Sequence, residues 1–307
     1  QERKVGMDIK FELSGVKFYG FTNDFKENLG LTGFRLSKNI ISGITIGGSL
    51  VVDRNQYLGL RDRDNDGRPD LVDDFPDDPI YWLDTDGDGI ADIDPNELDI
   101  DGDGVTDTLD NNIPGWNSED IVVLDTDIFR KPEPLNLKEK EKSIYAVSLD
   151  ASKIILSEKN MNVSMYAQFA SLIGETIDPI SGQKVSLGNG FIPFGLSTKI
   201  GPARFKFEYR VMPSGKFEFG YWDRSYEIER ATFSSSPFDA NSDMKKGEII
   251  TKDSKLGKFG KQKGYFSRLS YDLGEMVGAS ISYQNLVGEQ WNDDENKFNN
   301  GRNQSFI

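Results

Sequence analysis

The sequence predicts an all-β protein, an antiparallel meander interrupted by one acidic insertion. Three observations carry that reading. Apolar and polar residues alternate with a period of two over much of the chain, as they do in strands that have one face of each character. Gly is abundant, at 31 of 307 residues, and aromatics reach 11%, while stretches of helical period are scarce. Gly, Pro, Asn and Ser cluster between the alternating runs, where hairpin turns would fall.

Residues 1–55 predict N-terminal strands. Met7, Ile9, Phe11 and Leu13 alternate with Asp8, Lys10, Glu12 and Ser14. After a polar turn near 22–28 comes a Gly-rich strand over 29–36, a turn at Ser37-Lys38-Asn39, and a strand in which Ile44, Ile46, Gly48, Leu50 and Val52 alternate with Thr45, Gly47 and Ser49. Residues 56–118 form the acidic insertion, with Tyr81, Trp82 and Trp116 at its joints to pack against it. Residues 119–142 predict a strand over 121–129 and then a charged linker, 131–142, whose two prolines and interleaved Lys and Glu mark an exposed loop.

From 143 to 307 the meander resumes. Tyr145, Val147, Leu149 and Ala151 share a face, a turn falls at 158–160, and Met161, Val163, Met165, Ala167 and Phe169 return. A longer loop over 174–190 precedes a strand at 191–200, and Gly201-Pro202 turns the chain again. Phe205, Phe207, Tyr209 and Val211 then alternate with Arg204, Lys206, Glu208 and Arg210. A turn at 213–215 leads to an expected strand over Phe217, Phe219 and Tyr221, with a bulge near 223–225. A polar loop over 233–263 precedes two last strands, 265–273 and 276–286, joined at Gly274-Glu275. The chain closes on Q-S-F-I after a polar run that predicts no strand.

Strands of this length, with a wide Phe-, Tyr- and Met-rich face opposite Lys, Arg, Glu, Ser and Gln, fit a membrane β-barrel, whose apolar face meets lipid. They also fit a soluble β-sandwich, which buries one face of each strand. Residues 143–290 resemble bacterial outer-membrane barrels in texture, in the run G-P-A-R-F-K-F-E-Y-R and the later K-F-E-F-G-Y-W. One expected feature departs from that pattern: the short turn at 213–215 breaks the alternation of short and long connections.

The insertion has its own pattern, D-R-D-N-D-G-R-P-D, D-T-D-G-D-G-I-A-D and D-I-D-G-D-G-V-T-D. Asp recurs at positions 1, 3, 5 and 9 and Gly at position 6. The first pass holds Asp62, Asp64, Asp66 and Asp70, closed by Asp73 at position 12. The second holds Asp84, Asp86, Asp88 and Asp92, and the third Asp99, Asp101, Asp103, Asp107 and a closing Asp110. Alternate residues of a curled loop aim carboxylates inward, and Ca²⁺ takes about 6–8 oxygens on such a frame. The Gly allows a sharp turn, after which the carbonyl of Arg68, Ile90 or Val105 can add an oxygen. Pro95 occupies position 12 of the second pass, so Asp94 is the expected substitute. No amphipathic helix flanks any loop, which separates them from helix-loop-helix calcium hands.

Together with the connector D-D-F-P-D-D-P, these passes resemble thrombospondin type 3 calcium repeats over residues 60–113. The resemblance implies Ca²⁺ as cofactor, bound by these aspartates, and a compact rod ordered by metal. A disordered acidic tract is the plain alternative.

The net charge of −15 is confined to this insertion, since residues 62–110 carry −17 and the remainder +2. No basic stripe is left for nucleic acid. The absence of Cys and His excludes thiol chemistry, serine-triad hydrolysis and zinc catalysis of the usual kinds. No apolar run is long enough for a membrane helix, and a start at Gln1-Glu2-Arg3 reads as a processed, exported chain.

The expectation is the barrel, a non-enzymatic calcium-binding β-barrel protein of the Gram-negative outer membrane or cell surface, with membrane lipid, and a surface protein or glycan, as partners. The alternative is a secreted or cell-surface calcium-dependent adhesin with β-sandwich binding domains. A glycoside hydrolase would need two of Glu208, Glu218, Asp223 and Glu227 paired in a cleft.

Overall fold

The computed structural model describes residues 5–25, 30–41, 43–102, 104, 106, 134–223, 225–235, 247–272 and 278–306. In chain order the strands are β1 (Met7–Leu13), β2 (Val16–Thr22), β3 (Leu31–Ile41), β4 (Ile44–Asp53), β5 (Ile144–Glu158), β6 (Met161–Ile173), β7 (Glu175–Ile177), β8 (Lys184–Ser186), β9 (Asn189–Ile200), β10 (Ala203–Met212), β11 (Ala231–Ser235), β12 (Gly247–Thr251), β13 (Phe259–Asp272), β14 (Gly278–Asn292) and β15 (Lys297–Phe306). Two single-turn helices, α1 (Tyr226–Glu229) and α2 (Lys252–Lys255), lie between β10 and β13.

Eleven of these strands form one antiparallel sheet, in the order β1-β2-β3-β4-β5-β6-β9-β10-β13-β14-β15. The pairs β7–β8 and β11–β12 stand apart as two-stranded sheets. The all-β expectation therefore holds. The eleven-stranded sheet is not closed into a barrel, and β1 and β15 are its edges.

The chain divides into two compact units. One comprises Gln1–Gln56, Lys142–Arg230 and Ile250–Ile307 and holds the large sheet; the other comprises Tyr57–Glu141 and Ala231–Ile249 and holds the acidic repeats. The N-terminal strands thus belong to the same unit as the meander, through the pairing of β4 with β5.

Alternation decides the two faces of the sheet. The register carries Phe34 onto Leu50, Leu50 onto Val147 and Leu149 onto Phe169; farther along, Phe205 meets Leu269 and Leu269 meets Ile281. These residues share one face, and that face is open: Phe34 is 61% exposed, Leu149 63% and Tyr265 52%. On the opposite face some charged side chains are enclosed and others, such as Arg35, are half-buried. Arg35 makes a two-pronged pair with Asp150, at 2.6 and 2.8 Å. Glu208, 1% exposed, accepts from the Tyr166 hydroxyl at 2.6 Å and from Arg210 Nε at 2.7 Å. Arg210 in turn donates to Gln284 at 3.1 Å and lies over the Phe266 ring. A sandwich would cover the apolar face with a second large sheet, and among the described residues there is none.

Connections at one end of the sheet are short, at 14–15, 42–43, 159–160 and 201–202; those at the other end include the long excursions 54–143, 174–188 and 213–258. Ser14 and Gly15 both have positive φ, the hairpin geometry that matches strand twist.

Four sequence expectations need correction. Ser37, Lys38 and Asn39 continue β3, and the chain turns instead at Gly43, where φ is +78°. The run Phe217–Phe219–Tyr221 is no strand. Phe217 and Tyr221, 3% and 2% exposed, pack inward with Tyr226 and Leu256 against Leu31, Ile144, Leu172, Met212 and Leu286. Gly190 makes room, since a Cβ there would lie 2.3 Å from the Phe217 ring. Without that strand the excursion 213–258 falls at the same end of the sheet as 54–143 and 174–188. The loop expected over 233–263 contains β11, β12 and α2, and β13 already begins at Phe259. The polar run before the C-terminal Q-S-F-I is strand β15, which pairs with β14 from Tyr283↔Phe306 to Asn292↔Lys297. The strand expected at 121–129, Trp116 and the turn at Gly274-Glu275 lie outside the described residues.

The inward-folded segment is pinned by charge. Asp53, 0% exposed, accepts from the Tyr226 hydroxyl at 2.7 Å and from the Asn55 amide at 3.1 Å, and Arg230 Nη1 lies 3.5 Å away. The Tyr221 hydroxyl reaches Gln56 at 3.1 Å. Burial pushes the hydroxyls of Tyr221 and Tyr226 well up, and the nearby aspartates push in the same direction, so both stay neutral donors.

Candidate metal centre

The first two acidic passes fold into the same loop, bond for bond. Asp62 accepts from the amides of Asn65 and Gly67, at 2.8 and 3.1 Å; Asp84 accepts from those of Gly87 and Gly89, at 2.6 and 3.0 Å. Asp64 takes the Asp66 amide and Asp86 the Asp88 amide. The amides of Arg68 and Ile90 donate to Asp66 and Asp88. In the third pass Asp99 accepts from Gly104 at 2.9 Å, in the same role as Asp62 and Asp84. Asp101 is buried. Asp103, Val105, Asp107 and Asp110 lie outside the described residues.

The curl needs two left-handed residues, and the sequence reading used only one of them. Position 6 has φ of +104° at Gly67, +91° at Gly89 and +89° at Gly104. Position 4 is left-handed as well, at Asn65 (+64°), Gly87 (+82°) and Gly102 (+72°). The signal was present in the sequence, since Asn and Gly are the residues that tolerate this region.

The curl brings like charges together. Ligand oxygens of Asp62, Asp64 and Asp66 lie within 4.8 Å of one another, and so do those of Asp84, Asp86 and Asp88. Asp62 and Asp84 have both oxygens engaged by loop amides, whereas other carboxylates have an oxygen enclosed without a donor: Asp64 Oδ2, Asp66 Oδ2, Asp73 Oδ2 and Asp99 Oδ1. Asp73 is 7% exposed and rises to about 6, because burial penalises its charge and Asp66 and Asp64 repel it. Asp62 is raised as well, chiefly by burial and partly by Asp66 and Asp64. Enclosed oxygens that lack donors and gather beside like charges suit a hard divalent cation. Asp62, Asp64, Asp66 and Asp73 would hold one ion; Asp84, Asp86 and Asp88 supply the corresponding set in the second loop.

The remaining expected ligands are engaged elsewhere. Asp70 accepts from the Arg63 amide and from Arg63 Nε, both at 2.9 Å, and Asp92 from the Thr85 amide and hydroxyl at 2.7 and 2.8 Å. Asp94 accepts from the Tyr81 hydroxyl at 2.7 Å and from Asn96; the Asn96 amide and then the Tyr81 hydroxyl hold it below the usual carboxylate range. The segment expected as a free linker is partly tied down, since Lys138 Nζ reaches the carbonyls of Asn65 and Asp66 at 2.9 and 2.7 Å. Trp82 packs under the Arg68 guanidinium, 5.0 Å from it, and Tyr81 stands edge-on to Phe75.

The carboxylates weighed for hydrolysis each have their own contact: Glu208 the network above, Glu218 an ion pair with Lys252 at 4.0 Å, Asp223 the Ser225 amide and hydroxyl, and Glu227 the Asn23 amide. No protein-family model, curated protein or solved structure matches this chain.

Proposed function

We propose that the large sheet is wall of a non-enzymatic outer-membrane β-barrel, and that the repeats between β4 and β5 are a calcium-ordered segment outside the bilayer. One observation carries the reading. The sheet exposes its hydrocarbon face and encloses charges such as Glu208, Arg210 and Asp150 on the other, the reverse of a water-soluble fold. Monomeric soluble proteins rarely expose contiguous apolar patches beyond a few hundred Å², whereas a barrel in lipid requires one. Aromatic placement supports it: Tyr145, Phe191 and Tyr209 sit toward the long-loop end of the apolar face, and Phe11, Phe18, Phe205 and Tyr271 toward the short-turn end. Aromatic girdles at both interfaces mark such barrels. No helix among the described residues is long and apolar enough to cross a membrane, so the strands would do the crossing.

Calcium fits the acidic loops through the donor-free carboxylate oxygens. Sites of this kind outside cells often bind at about 10⁻⁴–10⁻³ M. The direct test is purification with and without detergent. The reading expects a monodisperse, β-rich species only in detergent or lipid, with Leu149→Arg raising the free energy of insertion by about 2–4 kcal/mol. A monodisperse detergent-free protein with the same β content would sink it.

A further inference from the structure

The polar face of the sheet has a feature that neither the repeats nor the membrane reading uses. Beside β13, β14 and β15 lies a cleft of about 610 Å³, within the range that takes small ligands. Its walls are unusual for the amides they present: Gln262, Gln284, Gln290 and Asn303 line it, with Trp291 and Phe219 as aromatic surfaces.

The amides offer both hydrogen-bonding senses. Gln284 Oε1 is taken by Arg210 at 3.1 Å, which leaves its NH₂ to donate. Gln262 Nε2 is taken by the Glu289 carbonyl at 2.9 Å, which leaves its oxygen to accept. Gln290 and Asn303 supply further amides. Fixed donors beside fixed acceptors match a hydroxyl, which does both at once. The aromatic surface is fixed as well. The Trp291 indole N–H donates to Asp293 at 3.0 Å, and its ring stands edge-on to Phe298 with centroids 5.1 Å apart.

Charge at the cleft is paired. Lys258 Nζ meets Asp293 Oδ1 at 2.5 Å, and Glu218 lies 4.0 Å from Lys252. Lys252 also meets Glu229 at 2.8 Å, so the lining carries no unopposed positive charge with which to select a phosphate or a carboxylate. A ligand with many hydroxyls, flat C–H faces and no charge satisfies all three features. We propose that this cleft binds a neutral oligosaccharide, with Trp291 as the stacking platform and Gln290 and Asn303 reading hydroxyls. The inference stands apart from the bilayer reading, because Gln284, Gln290 and Asn303 alternate onto the face opposite Val287 and the exposed hydrocarbon.

The test is a titration of the full chain, in whichever of detergent or buffer keeps it folded. The probes are linear oligomers of glucose, mannose, galactose and N-acetylglucosamine, with galacturonic acid oligomers as the charged comparison. Tryptophan fluorescence and calorimetry are the readouts. At least one neutral oligomer is expected to bind saturably, with Kd on the order of 0.1–10 mM, and with little change on adding salt. The double variant Gln290→Met/Asn303→Leu keeps side-chain size and should weaken binding at least ~10-fold, since hydroxyls lose their partners. Trp291→Phe should remove the fluorescence response while the calorimetric heat persists. Three results would overturn the proposal: no neutral oligomer bound at tens of millimolar (~50 mM,), binding indifferent to the double variant, or preference for the acidic oligomers. None of these would bear on membrane insertion.

Discussion

At the residue scale the calcium proposal rests on carboxylate oxygens that the acidic loops gather without a donor. Asp66 gives one oxygen to the Arg68 amide, and its other oxygen is enclosed without a donor. Asp66→Asn keeps the first contact and removes a charge from the cluster. Two opposite effects follow. Calcium affinity of the first loop should fall at least ~10-fold, since affinity depends on ligand charge. In EDTA the same variant should melt at higher temperature than the parent, because like charges a few ångströms apart repel by roughly 1–4 kcal/mol. Calorimetry with and without calcium reads both signs, and a variant that loses stability in EDTA would refute the account of the cluster. Asp73 gives a second residue-scale prediction. Its raised pKa, about 6 in the metal-free protein, means that it holds a proton below that pH that the unfolded chain would already have lost. Folded metal-free protein thus gains stability as pH falls from about 6 towards the ordinary carboxylate value, and calcium bound at Asp73 would have to displace that proton. Calorimetry at pH 6 in buffers of different ionisation heat should show release of roughly half a proton per ion at this site. Zero release would place Asp73 outside the ligand set.

Elements show which parts of the fold the sequence made legible and which it did not. β5, β6, β10 and β13 were readable because their two faces differ in character, so period two is visible in the letters. β15 was not. Asn299, Asn300, Arg302, Asn303 and Gln304 are polar on both faces, and the strand exists through its ladder with β14. The run Phe217–Phe219–Tyr221 misled for the converse reason: it alternates, yet its aromatics fill the space above Gly190 and the loop-end core. Alternation reports that every second residue is buried, and a strand is only one way to bury it. In the repeats, the Asp spacing was legible and the loops were found where it placed them. The engagement of Asp70, Asp92 and Asp94 by Arg63, Thr85 and Tyr81 was not, because it depends on partners across the turn. The docked segment supplies a prediction at this scale. Asp53→Asn removes the fully buried one of the two carboxylates beside Arg230, the other being the part-exposed Glu227 at 3.9 Å, and losing one member of a buried pair costs up to about 3–5 kcal/mol. Limited proteolysis should then cut within 213–230 much faster, with strand content by circular dichroism unchanged. Equal protection in parent and variant would show that the ion pair does not hold the segment.

For the molecule as a whole, the central claim is the inversion of the sheet. Leu149 and Ser148 are neighbours on β5 and face opposite sides of it, Leu149 pairing across to Phe169 and Ser148 to Ala170. Their environments should differ as hydrocarbon differs from a polar interior. The most direct measurement places a single tryptophan at each position in turn, Leu149→Trp or Ser148→Trp, in a chain whose own tryptophans are replaced by phenylalanine. The protein is folded into vesicles whose acyl chains carry bromine, which quenches tryptophan on contact. The account predicts strong quenching for Leu149→Trp and little for Ser148→Trp. Equal quenching at both positions, or none at Leu149→Trp in protein that remains β-rich, would contradict it.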